Sequence, residues 1–506
     1  MASYFSFGRI IGYTSFFESI GIENFFEKGQ RADKESLTST ERNFLCGLWL
    51  ANIDLSKKGW AIEDDDKKIE ETLSLMDSLH KLYDAKDDFS TTFKELAFYE
   101  GDEGYDWQFI NISKQKYNSN KIYKFLLQRG FDMQYVKSTY TRIKKIIEKQ
   151  ISERILSKRK NMEYISPLNA FTIRPNQVRK YFNEKEKNII RSMSITLGEK
   201  NNVSDLNDIG DYNVFTQYPI ILLPNERGYF IPNLLTLAVS LNETPFYWIN
   251  EEHHNSYDAE RGQNAENIIL SIIKSKFDDA FILNDYIIKK SKTGGSQITD
   301  MDILLSIKDI DIIFQIKSKR LNLKSRQGDY DSIQKDYKDG IIKAYEQGVK
   351  SVNCLKHYDE YYTLKNIPSI FIKRRLYLVV CITVDAFPTI TALSSQLEQE
   401  EDIPLIAMTS YDLDSIFDLL STDELYQYFC FRAECIHRNI IGINEMYYLG
   451  AFIYNQLGYQ IYLNKNSICK DHAIFVDYLL NQKYYKKVKF NNINDIGLWL
   501  LKHPLN

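Results

Sequence analysis

Apolar and polar residues alternate most regularly near the middle of the chain, in residues 298–317, which read ITDMDILLSIKDIDIIFQIK. The two-residue period is that of a β-strand, and it runs on both sides of Lys308 and Asp309. A polar pair between two such runs is typical of a tight turn. The pattern therefore predicts a β-hairpin centred on Lys308 and Asp309.

With that turn, Asp302 lies opposite Gln315 and Asp300 lies opposite Lys317. Opposed residues in an antiparallel pair point to the same face, so these four polar side chains are expected to share one face. A slip of one residue would scatter them. The other face is expected to be apolar and to hold Met301, Ile303, Leu305, Ile312, Phe314 and Ile316.

The segments around the hairpin predict a mixed sheet flanked by helices. An amphipathic helix is expected from Asp258 to Phe277, and Glu266 lies at the margin of its apolar stripe. The stripe consists of Ala265, Ile268, Ile269, Ile272 and Ile273. The other elements expected here are a strand over 281–289, a helix over 330–350 and strands over 376–384 and 404–408.

The rest of the chain divides into regions of different pattern. We expect a mainly helical N-terminal domain over 1–165, a mixed connecting region with a β-hairpin over 166–250, an α/β core over 251–410, and a C-terminal helical region over 411–506. The fold class is thus α/β with a mixed sheet, flanked by N- and C-terminal helices. The connecting hairpin should turn between Asn225 and Gly228.

Two helical patterns stand out in the N-terminal region. The run from Thr38 to Glu41 predicts a helix that begins with a capping box. Residues 121–160 predict a further helical stretch whose far side is basic, with Arg142, Lys144, Lys145, Lys149, Arg154, Lys158, Arg159 and Lys160. That side is either a solvated helix face or a surface that contacts phosphates.

Composition limits the classes of function. The chain has 506 residues and a net charge of −4, so contact with nucleic acid must use local basic patches. Six cysteines without regular spacing do not predict a disulfide framework. We find no secretory signal and no apolar run near the roughly 18 residues of a membrane span, and we expect a cytoplasmic protein without membrane contact.

The polar face of the hairpin has the chemistry of a cation site. Asp302 is the expected central ligand, joined by the side chain of Gln315, the backbone carbonyl of Ile316 and the carboxylate of Glu266. Oxygen ligands favour Mg²⁺ or Mn²⁺, which polarise a phosphodiester and lower the pKa of a bound water. Lys317 is expected to orient that water and stabilise developing charge.

The order Glu266, Asp302, Gln315-Ile-Lys317 resembles the motif of the PD-(D/E)xK nuclease superfamily, which has the restriction-endonuclease-like fold. The Gln-x-Lys form is similar to Mrr-like enzymes, and Ala344 with Gln347 is similar to the A-x-x-Q helix of RecB-type nucleases, although Ser351 stands where those often carry tyrosine. The resemblance implies a Mg²⁺-dependent endonuclease that cleaves nucleic acid, most often DNA, and the sequence leaves the choice between DNA and RNA open. By analogy, it implies a role in antiviral defence, with a partner protein allowed.

Basic residues just after the motif are candidates for binding nucleic acid. They are Lys319, Arg320, Lys324 and Arg326, to which Gln347 is added from the following helix. The alternative function is a catalytically inactive nuclease-like module that binds nucleic acid or a partner protein. A zinc site is a minor alternative, with Cys430, Cys435, His437, Cys469 and His472 as its irregularly spaced ligands. The oligomeric state stays open.

Overall fold

The computed structural model shows a mixed α/β protein. It describes residues 6–16, 37–56, 64–82, 93–94, 97, 104–159, 166–198, 206–253, 257–292, 297–372, 376–387, 389–394, 397, 399–400, 402–469 and 471–503. In this part of the chain no helix is long and apolar enough to cross a membrane.

The first half is mainly helical. After a helical segment over 6–16, its helices are α1 (Ser39–Asn52), α2 (Asp65–His80), α3 (Asp106–Lys116), α4 (Asn120–Gln128), α5 (Val136–Arg159), α6 (Pro167–Ala170), α7 (Pro175–Tyr181), α8 (Glu184–Ser192), α9 (Val214–Gln217) and α10 (Leu234–His253). The predicted capping box of α1 is confirmed: Thr38 Oγ1 accepts from the Glu41 amide, and the Glu41 carboxylate accepts from the Thr38 amide.

The predicted helical stretch over 121–160 is wrong in one respect, because it is broken between α4 and α5. Gly130 has a φ of 76° just after α4, a left-handed conformation that only glycine adopts without strain. A short 3₁₀ turn, Met133–Tyr135, then leads into α5. The break folds the two helices against the same hydrophobic core, which contains Leu126 and Ile143.

A small four-stranded sheet follows, with the order β1-β4-β3-β2. Its strands are β1 (Thr172–Ile173), β2 (Ser194–Thr196), β3 (Ile220–Leu223) and β4 (Gly228–Phe230). The predicted hairpin is confirmed, since β3 and β4 are antiparallel and Leu223 pairs with Gly228. Asn225 and Glu226 make the turn with φ values of 57° and 54°.

The central sheet has five strands in the order β5-β6-β7-β8-β9. It follows helix α11 (Asp258–Lys274) and consists of β5 (Ile282–Lys289), β6 (Gln297–Ile307), β7 (Ile310–Lys317), β8 (Leu376–Thr383) and β9 (Leu405–Thr409). Strands β5, β6 and β7 are antiparallel, whereas β7, β8 and β9 are parallel. The predicted order of helix, three strands, helix and two strands is confirmed.

Helices cover both faces of this sheet. The remaining helices of the described part are α12 (Leu323–Arg326), α13 (Tyr330–Tyr337), α14 (Lys343–Lys356), α15 (Ile390–Ser394), α16 (Ser410–Leu419), α17 (Thr422–His437), α18 (Glu445–Gln456), α19 (Asp471–Tyr484) and α20 (Ile493–Lys502). A two-stranded hairpin, β10 (Leu463–Asn464) and β11 (Ser467–Ile468), lies between α18 and α19. Helix α11 and the C-terminal helices pack against one face of the sheet in a common hydrophobic core. Helices α13 and α14, joined by a π-helical turn over Lys338–Ile342, pack on the other.

The central hairpin has the predicted register, because Ile307 pairs with Ile310 and Ile303 pairs with Phe314 around the Lys308–Asp309 turn. The pairing between β6 and β7 ends at Ile303 and Phe314, one step before Asp302 and Gln315. The predicted position of Met301 is wrong. Its side chain packs in the core of the α14 face, whereas Ile303 belongs to the α11 face, so β6 changes phase between these two residues.

Candidate active site

Helix α11 brings Glu266 to the end of the hairpin. Its predicted apolar stripe is confirmed, since all five of those side chains are buried. Glu266 lies beside the stripe, where burial and the charges of Asp302 and Asp285 raise its pKa to about 7. The nearby Glu260 is turned elsewhere, because it accepts from Ser119 Oγ at 2.7 Å and pairs with Lys121 at 3.0 Å. Glu266 is therefore the helical acid that meets the hairpin.

Asp302 lies where strands β6 and β7 stop pairing. Its Oδ2 accepts the backbone N–H of Ile316 at 2.7 Å, so a carboxylate takes the place of a ladder partner. Burial raises the pKa of Asp302 to about 6, although this hydrogen bond and the Lys317 charge act in the opposite direction. The site thus holds a carboxylate whose ionisation a nearby cation would favour.

Asp285 is a neighbour that the sequence patterns did not single out. The pairing of β5 with β6 runs from Ile282–Leu305 to Lys289–Gln297 and omits the step at which Asp285 would pair with Asp302. Asp285 has a φ of 51° there. A polar residue in the strand predicted over 281–289 was the available signal, but alternation alone assigns it to a solvent face.

Gln315 is fully buried beside this patch. Its Nε2 donates to the backbone carbonyl of Asp300 at 3.1 Å. Its Oε1 is buried and meets no hydrogen-bond donor in the described part of the chain. A buried amide oxygen without a donor costs free energy, on the order of 1–3 kcal/mol, unless a water or a cation satisfies it.

Gln347 on α14 links Lys317 to Asp300. Lys317 Nζ donates to Gln347 Oε1 at 3.2 Å, and Gln347 Nε2 donates to the Asp300 carboxylate. The predicted register places Asp300 opposite Lys317 on the same face of the hairpin. In the structure the amide of Gln347 connects the two, while Ala344 is buried one turn earlier in the same helix. Gln347 therefore orients the lysine.

Part of the basic loop after β7 is held by an ion pair and hydrogen bonds within the protein. Lys319 Nζ pairs with the buried Asp336 at 2.8 Å. The same carboxylate accepts from the Asn322 amide and from Ser325 Oγ, which fixes the loop against α13. Further along, Lys324 is exposed and Arg326 is half-buried.

Arg320 is turned inward, into a buried network of charges between α3, α10 and the central sheet. Its guanidinium donates to Glu243 and, at 2.9 Å, to Asp385. Lys116 pairs with the same two acids at 2.6 and 2.7 Å, and Arg261 reaches Asp385 at 3.2 Å. Binding a phosphate through Arg320 would require breaking this network.

The pKa of Asp385 shows how strongly these charges are matched. Burial opposes ionisation of Asp385, but the charges of Arg320, Lys116 and Arg261 outweigh it and hold its pKa well below the usual range. Asp385 is 1% exposed. We call these four residues, together with Glu243, the buried ion network.

Part of the basic side of α5 is used within the protein, whereas Lys145 and Lys149 are exposed. Arg142 pairs with Glu186 at 3.1 Å, and Lys144 pairs with Asp106 at 2.7 Å. Arg154 is only 5% exposed. Arg142, Lys144 and Arg154 are thus engaged within the protein. Lys160 and the side chains of Lys158 and Arg159 lie outside the part of the chain that the structure describes.

The cysteine and histidine residues proposed as a minor zinc alternative do not converge in the described part of the chain. His472 is fully buried, and its Nε2 accepts the Tyr462 amide at 3.0 Å. Burial raises the pKa of the Cys435 thiol to about 11, which disfavours the thiolate that zinc requires.

The described hairpin residues offer oxygen ligands but no preformed acidic cage. Among the described residues no three His, Cys, Asp or Glu side chains are drawn together tightly enough to hold a metal ion. The candidate set instead combines Asp302, Glu266, the unsatisfied Gln315 Oε1 and the carbonyl of Ile316. All four are oxygen donors of the type that Mg²⁺ and Mn²⁺ prefer.

We compared the chain with known proteins by sequence and by structure. No protein-family model, no curated protein and no solved structure matches it.

Proposed function

We propose that this protein is a metal-dependent nuclease of the PD-(D/E)xK type that hydrolyses phosphodiester bonds in DNA. The five-stranded sheet with α11 and α14 is its catalytic core. The helical regions around it recognise the substrate or a partner protein. The proposal includes a cytoplasmic location and a role in defence against phage or other foreign DNA, both by analogy with such nucleases.

One observation carries the proposal: the four motif residues, which come from three separate elements, meet where the pairing of β6 with β7 ends. Asp302 binds the amide next to Gln315, Lys317 is held by Gln347, and the charge of Asp302 acts on Glu266. A folded protein gains no stability from crowding acids whose pKa values burial raises. Such groups are typical of functional sites.

The residues divide the work of hydrolysis among them. Asp302, Gln315 Oε1 and the Ile316 carbonyl would hold Mg²⁺ or Mn²⁺, with Glu266 as a further ligand. When bound, the ion polarises the phosphodiester and acidifies a water. Lys317, oriented by Gln347, positions that water and stabilises charge on the phosphate. In the hydrolysis, the oxygen of water bonds to phosphorus and one P–O bond breaks. The departing oxygen gains a proton and the attacking water loses one, which leaves a phosphate end and a hydroxyl end.

The second candidate is a nuclease-like module that binds nucleic acid or a protein without cutting. The amide of Gln315 favours it, because an amide replaces one negative charge of the cation site. The orientation of Lys317 by Gln347 favours catalysis, since a binding module needs no fixed lysine beside buried acids.

The test incubates the purified full chain with Mg²⁺ and, separately, with plasmid DNA, linear DNA, single-stranded DNA and RNA. We expect cleavage of DNA. Asp302→Asn and Lys317→Ala should each lose it, by at least about 10²- to 10³-fold, because each removes a group that stabilises the transition state. Circular dichroism of both variants should match that of the unmodified protein.

The matched control is Lys308→Ala, which removes a lysine at the opposite end of the same hairpin. It should cleave normally. Unchanged cleavage by Lys317→Ala would overturn the catalytic proposal. The binding module would be supported instead if no substrate is cleaved and the affinity for DNA is the same in Asp302→Asn as in the unmodified protein.

A further inference from the structure

Strands β5 and β6 continue beyond the candidate site at one end of the central sheet. Their pairing runs past Asp302 to Lys289 and Gln297. At about 3.3 Å per residue, the stretch of β6 from Asp302 to Gln297 spans about 17 Å. Ile288 is buried in the α14 core, whereas its neighbour Ile287 is 44% exposed. The face of this stretch that is turned away from α14 is therefore open to solvent.

A second segment is bonded to the edge of β5 at this end of the sheet. It follows a 3₁₀ turn over Tyr358–Glu360. The Lys289 amide donates to Thr363 Oγ1 at 3.0 Å, and the Thr363 amide donates to the Lys289 carbonyl at 3.4 Å. The Tyr286 hydroxyl donates to the Thr363 carbonyl. These bonds hold residues 358–365 beside the end of β5, so the side chains of the two segments form one surface.

The two segments bring lysines and aromatic rings together. We call this surface, with its six exposed side chains, the edge surface, and it consists of Lys289, Lys290, Lys292, Tyr358, Tyr362 and Lys365. None of its four lysines forms an ion pair with another described residue. Two exposed acids, Asp359 and Glu360, lie in the same segment, so the cations are in excess. Such an excess of positive charge attracts a polyanion.

The tyrosines favour an unpaired strand over a duplex as that polyanion. The phosphates of single strands and of duplexes both attract lysines, so the cations alone do not discriminate between them. Exposed aromatic rings offer a surface on which unpaired bases stack, whereas the bases of a duplex already stack on each other. Tyr358 and Tyr362 are each 37% exposed, so part of each side chain is open to such a contact.

We propose that the edge surface binds a single-stranded segment of nucleic acid that leads into the candidate site. The proposal rests on the proposed function, and it narrows the substrate class to nucleic acid with an unpaired segment beside the scissile bond. The strand order β5-β6-β7 places the site between the edge surface and the basic loop after β7. A nucleic-acid strand that runs from the edge surface to that loop therefore crosses the site.

The test measures the Kd of the full chain, in EDTA, for a fluorescently labelled oligothymidylate and for a DNA duplex of the same length. Tyr362→Ala should weaken binding of the single strand about 5- to 100-fold and leave duplex binding nearly unchanged, because a stacking surface is lost. Tyr362→Phe keeps the ring and should retain the affinity. The matched control is Tyr459→Ala, which removes an exposed tyrosine between α18 and α19 and should bind like the unmodified protein.

The lysines of the edge surface have a test of their own. A variant that combines Lys289→Ala with Lys290→Ala should reduce the slope of log K against log salt for the single strand by about 1.4, because each phosphate contact contributes about 0.7. A slope equal to that of the unmodified protein would overturn the contact of these lysines with phosphate.

The possible results separate the edge surface from the function on which it rests. Unchanged single-strand affinity in Tyr362→Ala, an equal loss for the duplex, or an equal loss in Tyr459→Ala would overturn the edge surface. So would an unmodified protein that does not bind the single strand. Cleavage with Mg²⁺ is measured separately. Cleavage without any effect of Tyr362→Ala on binding overturns the edge surface alone, whereas binding that depends on Tyr362 without any cleavage overturns the nuclease alone.

Discussion

Two clusters of charged residues, the buried ion network and the candidate site, are built in opposite ways, although Arg320 of the first follows Lys317 of the second by only three positions. In the buried ion network, Asp385 and Glu243 meet three cations, and the pKa of Asp385 is held low. In the candidate site, Glu266 and Asp302 face one another and a single lysine, and their pKa values are raised to about 7 and about 6. One cluster has its charges matched, and the other has an excess of acid.

The difference separates a structural role from a functional one. Matched buried charges hold the first half of the chain to the central sheet, because Lys116 and Glu243 come from α3 and α10. Unmatched acids add no stability, so their placement needs another reason. Arg320 illustrates the distinction: a basic residue three positions after Lys317 belongs to the network and not to the site.

The largest effect should come from breaking the network. Asp385→Ala leaves three cations without their common partner, and we expect a loss of about 3–5 kcal/mol in the free energy of unfolding. Urea denaturation measures it. The control is Asp258→Ala, which removes the exposed partner of Arg261 at 3.0 Å and should cost under about 1 kcal/mol. Equal losses in the two variants would contradict a special role for the buried network.

Gln347→Ala should lower the cleavage rate and leave the fold unchanged. Without the amide, Lys317 loses its acceptor at 3.2 Å, and we expect the cleavage rate to fall about 10- to 100-fold. The substrate KM should change little, because Gln347 acts through the lysine. Glu346→Ala, an exposed change one residue earlier in the same helix, is the control. A cleavage rate unchanged by Gln347→Ala would show that Lys317 does not need this support.

Much of the central sheet could be predicted from the sequence, because strand alternation and the helical stripe report local burial. The Lys308–Asp309 turn and the stripe around Glu266 are examples. Asp285 was missed because a left-handed residue changes the phase of a strand, and alternation assumes a constant phase. Met301 was assigned to the wrong face for the same reason.

The role of Arg320 was beyond prediction for a different reason. Its partners Asp385 and Glu243 lie 65 and 77 residues away in the sequence. Nothing in the local pattern of a basic loop distinguishes a guanidinium that faces solvent from one that meets buried acids. The internal use of Lys144 and Arg154 on α5 was hidden in the same way.

Because the site has an excess of acid, the free energy of unfolding should depend on pH. The raised pKa of Asp302 means that the unfolded chain loses this proton near pH 4 and the folded protein near pH 6, so stability falls as the pH rises between them. In EDTA, Asp302→Asn should therefore be more stable than the unmodified protein by about 3 kcal/mol above pH 7 and equal to it below about pH 4. Urea denaturation across this range checks it, and a difference that is independent of pH would contradict it.

The smallest effect concerns the exposed part of the basic loop. The side chain of Lys324 is exposed, whereas Lys319 in the same loop pairs with Asp336. Lys324 can therefore contact a phosphate. Lys324→Ala should weaken DNA binding a few-fold and reduce the slope of log K against log salt by about 1, because one fewer counterion is released. Binding is measured by fluorescence anisotropy in EDTA, so that cleavage does not interfere. Lys308→Ala is the control, since its lysine pairs with Asp423 at the far end of the hairpin and should leave the slope unchanged. Equal slopes for the two variants would mean that DNA does not approach along this loop, and the acidic site would then have to be reached from the edge strand that carries Asp285.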